Sequence, residues 1–549
     1  MTASRPAPDV TVVVAVYDTM PYLTECLASV LGQTIGTDRL ELIAVDDGST
    51  DGSAEELDRF AQTYPGPIQV VHQANSGSPA GPKNHALSLA RGRYVFFLDA
   101  DDYLGSEALE RLVTAADDLG SDVMIGRMVG ENGRYVHQAL YREGRADITF
   151  EDSALAWTLS NTKLFRKALI DEHRLRFPTD LPVGSDQPFT IEACLRAARV
   201  SVLDSDYPCY HAVRRSVGQS ITYGSPPETR LACTRRIMGF VADQVPPGSL
   251  RDAILVRHFN WELAKLLGPE LVAATPESRR LLTEGVGALL DRYWSDRIAR
   301  STPVRRRARL LLARTGNLTA SVQAAADPDD AVPVTVGPAG TFLDYPDLRG
   351  LDPPLADSTF EVHEEDLSRV LPPGLRLDSV DLRRRRLRGG ELVVRFTLDV
   401  RARDAEDLHV GVALADRRMP PSSDEVGARR LPTDRQVAAV AAGGQVAPGG
   451  RGPSRLTAVL DLADVIASCD EHPLRGVRAY PVLAGRTYEV PIPGTRDPFR
   501  RTVWEGRRPY DVRVRANQKG RLVVRVARTR YRSLLRPGGD RWRRGESNP

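Results

Sequence analysis

The first part of this chain alternates between two hydrophobic patterns. Val10–Val16, residues 40–45 and residues 94–98 are nearly continuous apolar runs, and runs of this length read as buried strands. Ile68–His72 and residues 122–125 predict two more. Between the first two runs, Leu23, Leu27, Val30 and Leu31 recur on one side of a helix over residues 22–31, with Pro21 at its start. Further helices are predicted over residues 51–64, 82–90 and 106–119, the last with Ser106 as its N-cap. Strand–helix alternation at this spacing predicts a parallel sheet covered by helices.

The pattern then changes twice. From about residue 229 to 326 it is helical, with apolar residues three and four apart over 250–267 and 277–293. Residues 325–330 read as a linker. Beyond them, short segments at 392–398, 408–414, 456–460, 477–483 and 521–527 are separated by Gly- and Pro-rich turns. In another, Val512 and Val514 alternate with Asp511, Arg513 and Arg515. This predicts a β-sandwich, one or two small ones, with a loop at 441–454. The expected organisation is an α/β domain over 1–228, a helical linker over 229–330, an all-β region over 331–535 and a basic tail over 536–549.

Composition narrows the class. At 549 residues, two to four domains are expected. Hydrophobic residues at 42% and charged residues at 27% fit a globular protein, and a net charge of +2 does not point to nucleic acid. The five cysteines are scattered with no CxxC pair, which favours reduced thiols in a cytoplasmic protein over a disulfide framework or zinc site. No signal peptide is expected in residues 1–16, and no run reaches a membrane span.

The chemistry concentrates at strand ends. Phe96-Phe97-Leu98 runs straight into Asp99-Ala100-Asp101-Asp102. Ligands of open α/β sheets sit beyond such strand ends. If the chain stays extended, Asp99 and Asp101 aim at one point, and paired hard oxygens suit Mg²⁺ or Mn²⁺ shared with substrate phosphates. Asp46-Asp47-Gly48-Ser49-Thr50-Asp51 follows the second strand; its carboxylates can accept from a base or ribose, and Ser49 or Asp51 can cap the next helix. The run from Asn75 to Asn84, containing Gly77, Gly81, Pro82 and Lys83, enters a helix whose N-terminus favours an anion. Asp186 is either a general base or a helix cap. His211, Arg214 and Arg215 follow an aromatic strand end, and arginine suits phosphate. Each motif alone also fits an ordinary loop.

Taken in order, Ala15-Val16-Tyr17-Asp18, the Asp46 loop, the Lys83 loop, Asp99-Ala100-Asp101 and Asp186 resemble the family 2 glycosyltransferases of GT-A fold. Asn75-Ser76-Gly77, Pro82-Lys83-Asn84, Thr162 to Arg166 and Pro178 to Phe189 resemble, within that family, the wall teichoic acid enzymes that glycosylate poly(ribitol phosphate). The resemblance is specific over residues 10–222 and architectural beyond. It implies a GT-A domain with a Rossmann-like mixed sheet, a helical linker and C-terminal immunoglobulin-like domains that assemble a homo-oligomer, a trimer in some relatives. It implies that Val16, Tyr17, Asp18, Asp46, Asp47, Asn75, Lys83, Asp99 and Ala100 meet a UDP-sugar, and that Asp101 meets Mg²⁺ or Mn²⁺. Asp186 becomes the base of an inverting transfer, with Gln187, His211, Arg214 and Arg215 at the acceptor. UDP-GlcNAc is the expected donor and an anionic glycopolymer the acceptor. Lys83 stands where relatives often carry Arg, Ser185 where they commonly carry Glu, and Ala15 where many carry Pro.

Basic clusters at Arg305-Arg306-Arg307, Arg383 to Arg386 and residues 528–544 fit an anionic polymer, a peripheral contact with the inner membrane face, or simply solvated arginine. No GxGxxG follows the first strand, which argues against a dinucleotide oxidoreductase, and a sugar nucleotidyltransferase would normally carry a Gly-rich N-terminal loop, absent here. The remaining alternative is a scaffolding protein that binds an anionic cell-wall polymer through a weakly active or inactive GT-A domain, supported by Ser185.

Overall fold

In the computed structural model the described residues are 7–142, 144–215, 224–326, 334–337, 340–343, 351, 354–362, 375–384, 390–398, 400–402, 408–414, 429–430, 454–469, 474–483, 486–495, 497–505, 508–517 and 520–529. The expected linker at 327–330, Arg385, Arg386, loop residues 441–453, residues 530–544 of the last basic cluster and the tail at 536–549 lie outside them. The chain forms two compact units, one of residues 1–302 with 312–325, the other of 303–311 with 326–549. The expected boundary at 228/229 falls inside the first.

A seven-stranded sheet organises the first unit. Its strands are β1 (Val10–Val16), β2 (Leu40–Asp46), β3 (Ile68–His72), β4 (Tyr94–Asp99), β6 (Val123–Ile125), β8 (Leu164–Arg166) and β9 (Val200–Val202), in the order β3-β2-β1-β4-β8-β6-β9. β1 to β4 are parallel, but β8 runs antiparallel to both β4 and β6, so the sheet is mixed rather than purely parallel. Every residue of β2 is buried, and only Ala15 of β1 is partly exposed, as strands covered on both faces require. A smaller sheet of β5 (Tyr103–Leu104), β10 (Pro208–Val213) and β7 (Arg127–Glu131) flanks the acidic end of β4.

The helices are α1 (Leu23–Leu31), α2 (Ser53–Thr63), α3 (Ala80–Leu89), α4 (Ala108–Leu119), α5 (Lys167–Glu172) and α6 (Asp186–Arg196). Two boundaries differ from expectation. α4 starts at Ala108, and Ser106 is not its cap: the Ser106 hydroxyl lies 3.4 Å from that of Tyr207 instead. α3 starts before Pro82, which occupies its third position and needs no N–H partner inside the first turn.

The helical segment includes Pro227–Gln244, Ser249–Arg257, a π-helical turn at His258–Leu263 and Pro276–Tyr293. The π turn interrupts what the sequence presented as one helix over 250–267. Among the described residues, no helix is long and apolar enough to cross a membrane.

The second unit is built of mainly antiparallel sheets. Leu375–Arg384, Gly390–Leu398 and Ser454–Asp461 form one; Leu474–Leu483 pairs with Leu408–Leu414, Arg486–Pro491 and Leu522–Arg528. Arg305 and Arg307 belong to this unit and are buried, Arg307 donating to the carbonyls of Thr359 and Glu361. This corrects the reading of the 305–307 cluster as a surface for an anionic polymer: burial of two of its three arginines makes it part of the packing.

Candidate active site

Strand register builds the rim. Val16 pairs with Asp46, Asp46 with His72, and Ala15 with Asp99. The carboxyl ends of β1 to β4 therefore finish level, where ligands of such sheets bind.

On the β2 side, the carboxylates bind loops. Asp46 accepts from the Ser49 N–H at 3.0 Å and pairs with His72 at 3.0 Å. Burial opposes its ionisation, but the contacts with His72 and Ser49 prevail and its pKa is lowered. Asp47 accepts from the Gln73 amide at 2.6 Å and from the Ser76 N–H and hydroxyl at 3.1 and 2.9 Å. It thereby ties the Asn75 loop to β2. Asp18 adopts a left-handed conformation, φ +47°, and its Oδ1 accepts from the Thr50 N–H at 2.7 Å. Gly48, φ +81°, is needed because a Cβ there would stand 3.0 Å from the Asn75 nitrogen. Asn75 closes a turn by accepting from Gly77 at 2.7 Å. Val16 is buried, so only its backbone can face a ligand, whereas the Tyr17 ring is 46% exposed. Gly52, φ +93°, takes the cap position of α2 rather than Ser49 or Asp51, and Asp51 accepts from the Ser53 N–H at 3.0 Å just ahead of the helix.

The β4 side holds cations against carboxylates. Lys83, on α3, is buried; its Nζ lies 3.4 Å from Asp99 Oδ1 and 5.7 Å from the Phe177 ring centre. β4 ends at Asp99, and Asp102 N–H donates back to the Asp99 carbonyl at 3.0 Å. The extended geometry expected for Asp99 and Asp101 is thus replaced by a turn, because Asp102 is drawn inside. Its carboxylate accepts from Tyr210 OH and Val213 N–H, both at 2.7 Å, and from Arg134 at 3.2 Å. Burial, then the Asp101 charge, raises the Asp102 pKa. Ala100 is buried between the acids. Asp101 Oδ2 accepts from Arg215 Nε at 2.6 Å.

Asp186 opens α6. Ser185 takes the cap position without a side-chain bond, so Asp186 is not the cap. Burial raises the Asp186 pKa; Lys83 pulls it down, Asp99 pushes it up and Arg257 pulls it down. Lys83, Asp99 and Asp186 therefore share one electrostatic neighbourhood. Four aromatic rings fix that geometry from below: Phe189 of α6 stacks on Phe177 at 4.2 Å and meets Phe97 and Phe165 edge-on. A cluster of this kind contributes beyond its buried area.

The expected acceptor residues are not all brought to this point. Gln187 turns toward the helical segment, its Oε1 accepting from Arg257 Nη1 at 3.3 Å and lying 3.1 Å from His258 Nε2. His211 stacks on Tyr103 at 4.4 Å and pairs with Glu131 at 2.8 Å. Arg214 is exposed. Both Gln187 and His211 thus have protein partners where an open acceptor contact was expected.

Several supporting residues were not singled out from the sequence. Asn84 clamps the chain before Asp186 through paired bonds to Phe177, its amide to the carbonyl at 2.8 Å and its oxygen from the N–H at 2.9 Å. Lys163 is buried, donates to the carbonyls of Thr158 and Ser160, and has its pKa lowered to about 8 by burial. Arg257 and His258 grip the first turn of α6. Asn84 and Lys163 lie in quoted motifs, and polar residues within apolar stretches were the available signal. Nothing in the helical period marks the other two.

A divalent ion has a suitable but incomplete donor set. Among the described residues no three His, Cys, Asp or Glu side chains form a metal cluster. Two rim carboxylates, Asp99 and Asp101, are instead held by cations, Lys83 and Arg215. That fits an ion held by one or two carboxylates and completed by substrate phosphates.

A mixed sheet with this acidic rim defines a GT-A glycosyltransferase fold. Residues 11–175 match the model of Glycosyl transferase family 2, and residues 227–325 match the Glycosyl transferase TarS linker domain. The chain thus carries a family 2 glycosyltransferase domain followed by a TarS-type linker. It is 34% identical over 260 residues to the poly(ribitol-phosphate) beta-glucosyltransferase of Bacillus spizizenii, over 47% of this chain and 41% of that protein. It is 34% identical over 259 residues to the Staphylococcus aureus poly(ribitol-phosphate) beta-N-acetylglucosaminyltransferase TarS, over 46% of this chain and 44% of that one. The chain thus matches less than half the length of either relative. The crystal structure of S. aureus TarS 1-349 in complex with UDP-GlcNAc superposes with a TM-score of 0.53 at 26% identity, covering 61% of this chain and 97% of that one.

Proposed function

We propose that this chain is an inverting glycosyltransferase that moves GlcNAc from UDP-GlcNAc to a hydroxyl of a poly(ribitol phosphate)-type polymer. The observation that carries the reading is the grouping of Lys83, Asp99 and Asp186 at the end of β4, with no side chain of another described residue bonded to the Asp186 carboxylate. The relatives named above act on poly(ribitol phosphate), and one is seen with UDP-GlcNAc.

In this reading the rim at Val16 to Asp18, Asp46, Asp47 and Asn75 receives the uridine. Tyr17 supplies an exposed ring face, and the loops present backbone groups. Lys83 neutralises the leaving diphosphate, and such electrostatic stabilisation is usually the largest single term in catalysis. Asp99 and Asp101 would hold a Mg²⁺ or Mn²⁺ ion, which when bound adds further charge neutralisation at the diphosphate. For that to happen Arg215 must leave Asp101, and the diphosphate is its natural new partner. Asp186 takes the proton from the acceptor hydroxyl as that oxygen attacks the anomeric carbon. Its raised pKa strengthens it as a base, provided the pH is above that value. A single displacement turns an α-linked donor into a β-linked product.

Asp186→Asn tests the assignment. It should keep UDP-GlcNAc affinity, measured by calorimetry, and slow transfer by about 10²–10⁴-fold. Normal turnover would remove Asp186 as the base. Assembly of a homo-oligomer through the C-terminal sheets and work at the inner membrane face belong to the same proposal; light scattering of the full chain and sedimentation with anionic vesicles test them.

A further inference from the structure

Tyr135, in the loop after β7, is the most exposed large apolar side chain described, at 71%. Its ring lies parallel to Trp261, with centres 6.3 Å apart and planes 18° apart. Lys265 places its Nζ 5.2 Å from the centre of the Trp261 ring. An exposed aromatic face beside a cation matches a chain of polyol units joined by phosphates. Ring faces receive C–H groups, and the ammonium receives the phosphate.

Both ends of this platform are tied to the proposed active site. Next to Tyr135, Arg134 donates to Asp102 at 3.2 Å and to the Val213 carbonyl at 2.9 Å, so the loop is anchored at the acidic turn after β4. Trp261 lies in the same π-helical turn as His258, which contacts Gln187, the neighbour of Asp186. The rings thus join a loop bonded to the acidic turn after β4 and a helical turn that contacts the first turn of α6. His137, two residues after Tyr135, stacks on Trp157 at 5.4 Å.

We propose that Tyr135, Trp261 and Lys265 form an acceptor subsite that binds a polyol-phosphate unit adjacent to the one being glycosylated. This rests on the function proposed above and extends it to a site in the linker. It also gives the π-helical turn a role, since such turns recur at functional sites. A bound unit here holds its neighbour in line with Asp186 and raises the effective concentration of the attacking hydroxyl.

The test titrates full-length protein, with UDP present, with a synthetic ribitol phosphate oligomer, and separately measures slow hydrolysis of UDP-GlcNAc. Tyr135→Ala should weaken oligomer binding by about five- to tenfold, the scale of one well-packed aromatic contact. Tyr135→Phe should bind as the parent does, and hydrolysis should be unchanged in both. Lys265→Gln should bind more weakly and lose less affinity as salt rises, because one phosphate contact is gone. Trp261→Phe keeps a ring and should fall between parent and Tyr135→Ala. Unchanged oligomer binding by Tyr135→Ala and Lys265→Gln overturns the subsite. So does a loss that comes with an equal loss of UDP affinity or hydrolysis, which marks a structural stack. A parent that hydrolyses UDP-GlcNAc and binds no oligomer overturns the subsite while the donor reading stands. A parent that binds the oligomer through Tyr135 but never hydrolyses or transfers from UDP-GlcNAc supports the subsite and overturns the donor reading.

Discussion

The two halves of the rim use carboxylates in opposite ways. On the β2 side, Asp18, Asp46, Asp47 and Asp51 accept from backbone N–H groups and neighbouring side chains. The pKa values of Asp46 and Asp51 are lowered there, and their charges are already satisfied by the loops. On the β4 side, Asp99 and Asp101 face Lys83 and Arg215, while Asp102 and Asp186 are pushed up by burial. Hydrogen-bonded carboxylates set shape. Carboxylates held against protein cations, two of them buried, keep electrostatic energy available for a charged ligand. In the proposed function, the β2 side receives the neutral nucleoside, and the β4 side would exchange protein cations for a metal and a diphosphate.

The largest effect that sharpens this contrast is expected at Lys83. Lys83→Met removes a charge from the leaving diphosphate and should slow transfer by about 10²-fold or more. It also removes the cation that lowers the Asp186 pKa. The acid limb of the transfer rate should therefore move to higher pH, because the base is protonated sooner as pH falls. An acid limb that stays in place would separate Lys83 from Asp186 and break the grouping of the β4 side.

Asp47→Ala attacks the other half. It leaves the Ser76 N–H and the Gln73 amide without their acceptor, at a cost of about 1–3 kcal/mol. Thermal unfolding should register that loss, and calorimetry should show weaker UDP binding, while the pH dependence of transfer keeps its position. A shifted pH profile would contradict the division of labour.

The smallest effect is at His72, half exposed, whose pKa the Asp46 and Asp58 contacts raise above its usual 6.5. Its stabilisation is fully present below about pH 6.5 and is lost as pH rises through the higher folded value. Solvent screening keeps the contribution under about 1 kcal/mol. His72→Gln should flatten the fall in stability as pH rises above about 6.5, without changing turnover. An unchanged slope would remove the Asp46 pair as its source.

Much of this was legible in the sequence because buried strands and tight loops leave strong local marks. Ile68–His72 runs as the apolar pattern predicts, and the Asp46, Lys83 and Asp99 motifs do end at one rim. What escaped depends on contacts between distant segments. The turn at Asp99–Asp102 forms because Tyr210 and Val213, over a hundred residues later, take Asp102 inside. Arg307 reads as a surface charge until the carbonyls of Thr359 and Glu361 claim it. Gln187 looks open to an acceptor until Arg257 and His258 meet it, and no periodicity marks a π-helical turn. Arg215 could be read as a phosphate ligand, but not as the present partner of Asp101.

The account stands or falls on one displacement assisted by one carboxylate at α6. The most direct measurement is the anomeric configuration of the product, read by proton NMR after transfer from UDP-GlcNAc to a ribitol phosphate oligomer. The account predicts a β-linked product from the parent, formed about 10²–10⁴-fold more slowly by Asp186→Asn. An α-linked product, or β-linked product formed at the parent's rate by Asp186→Asn, would contradict it.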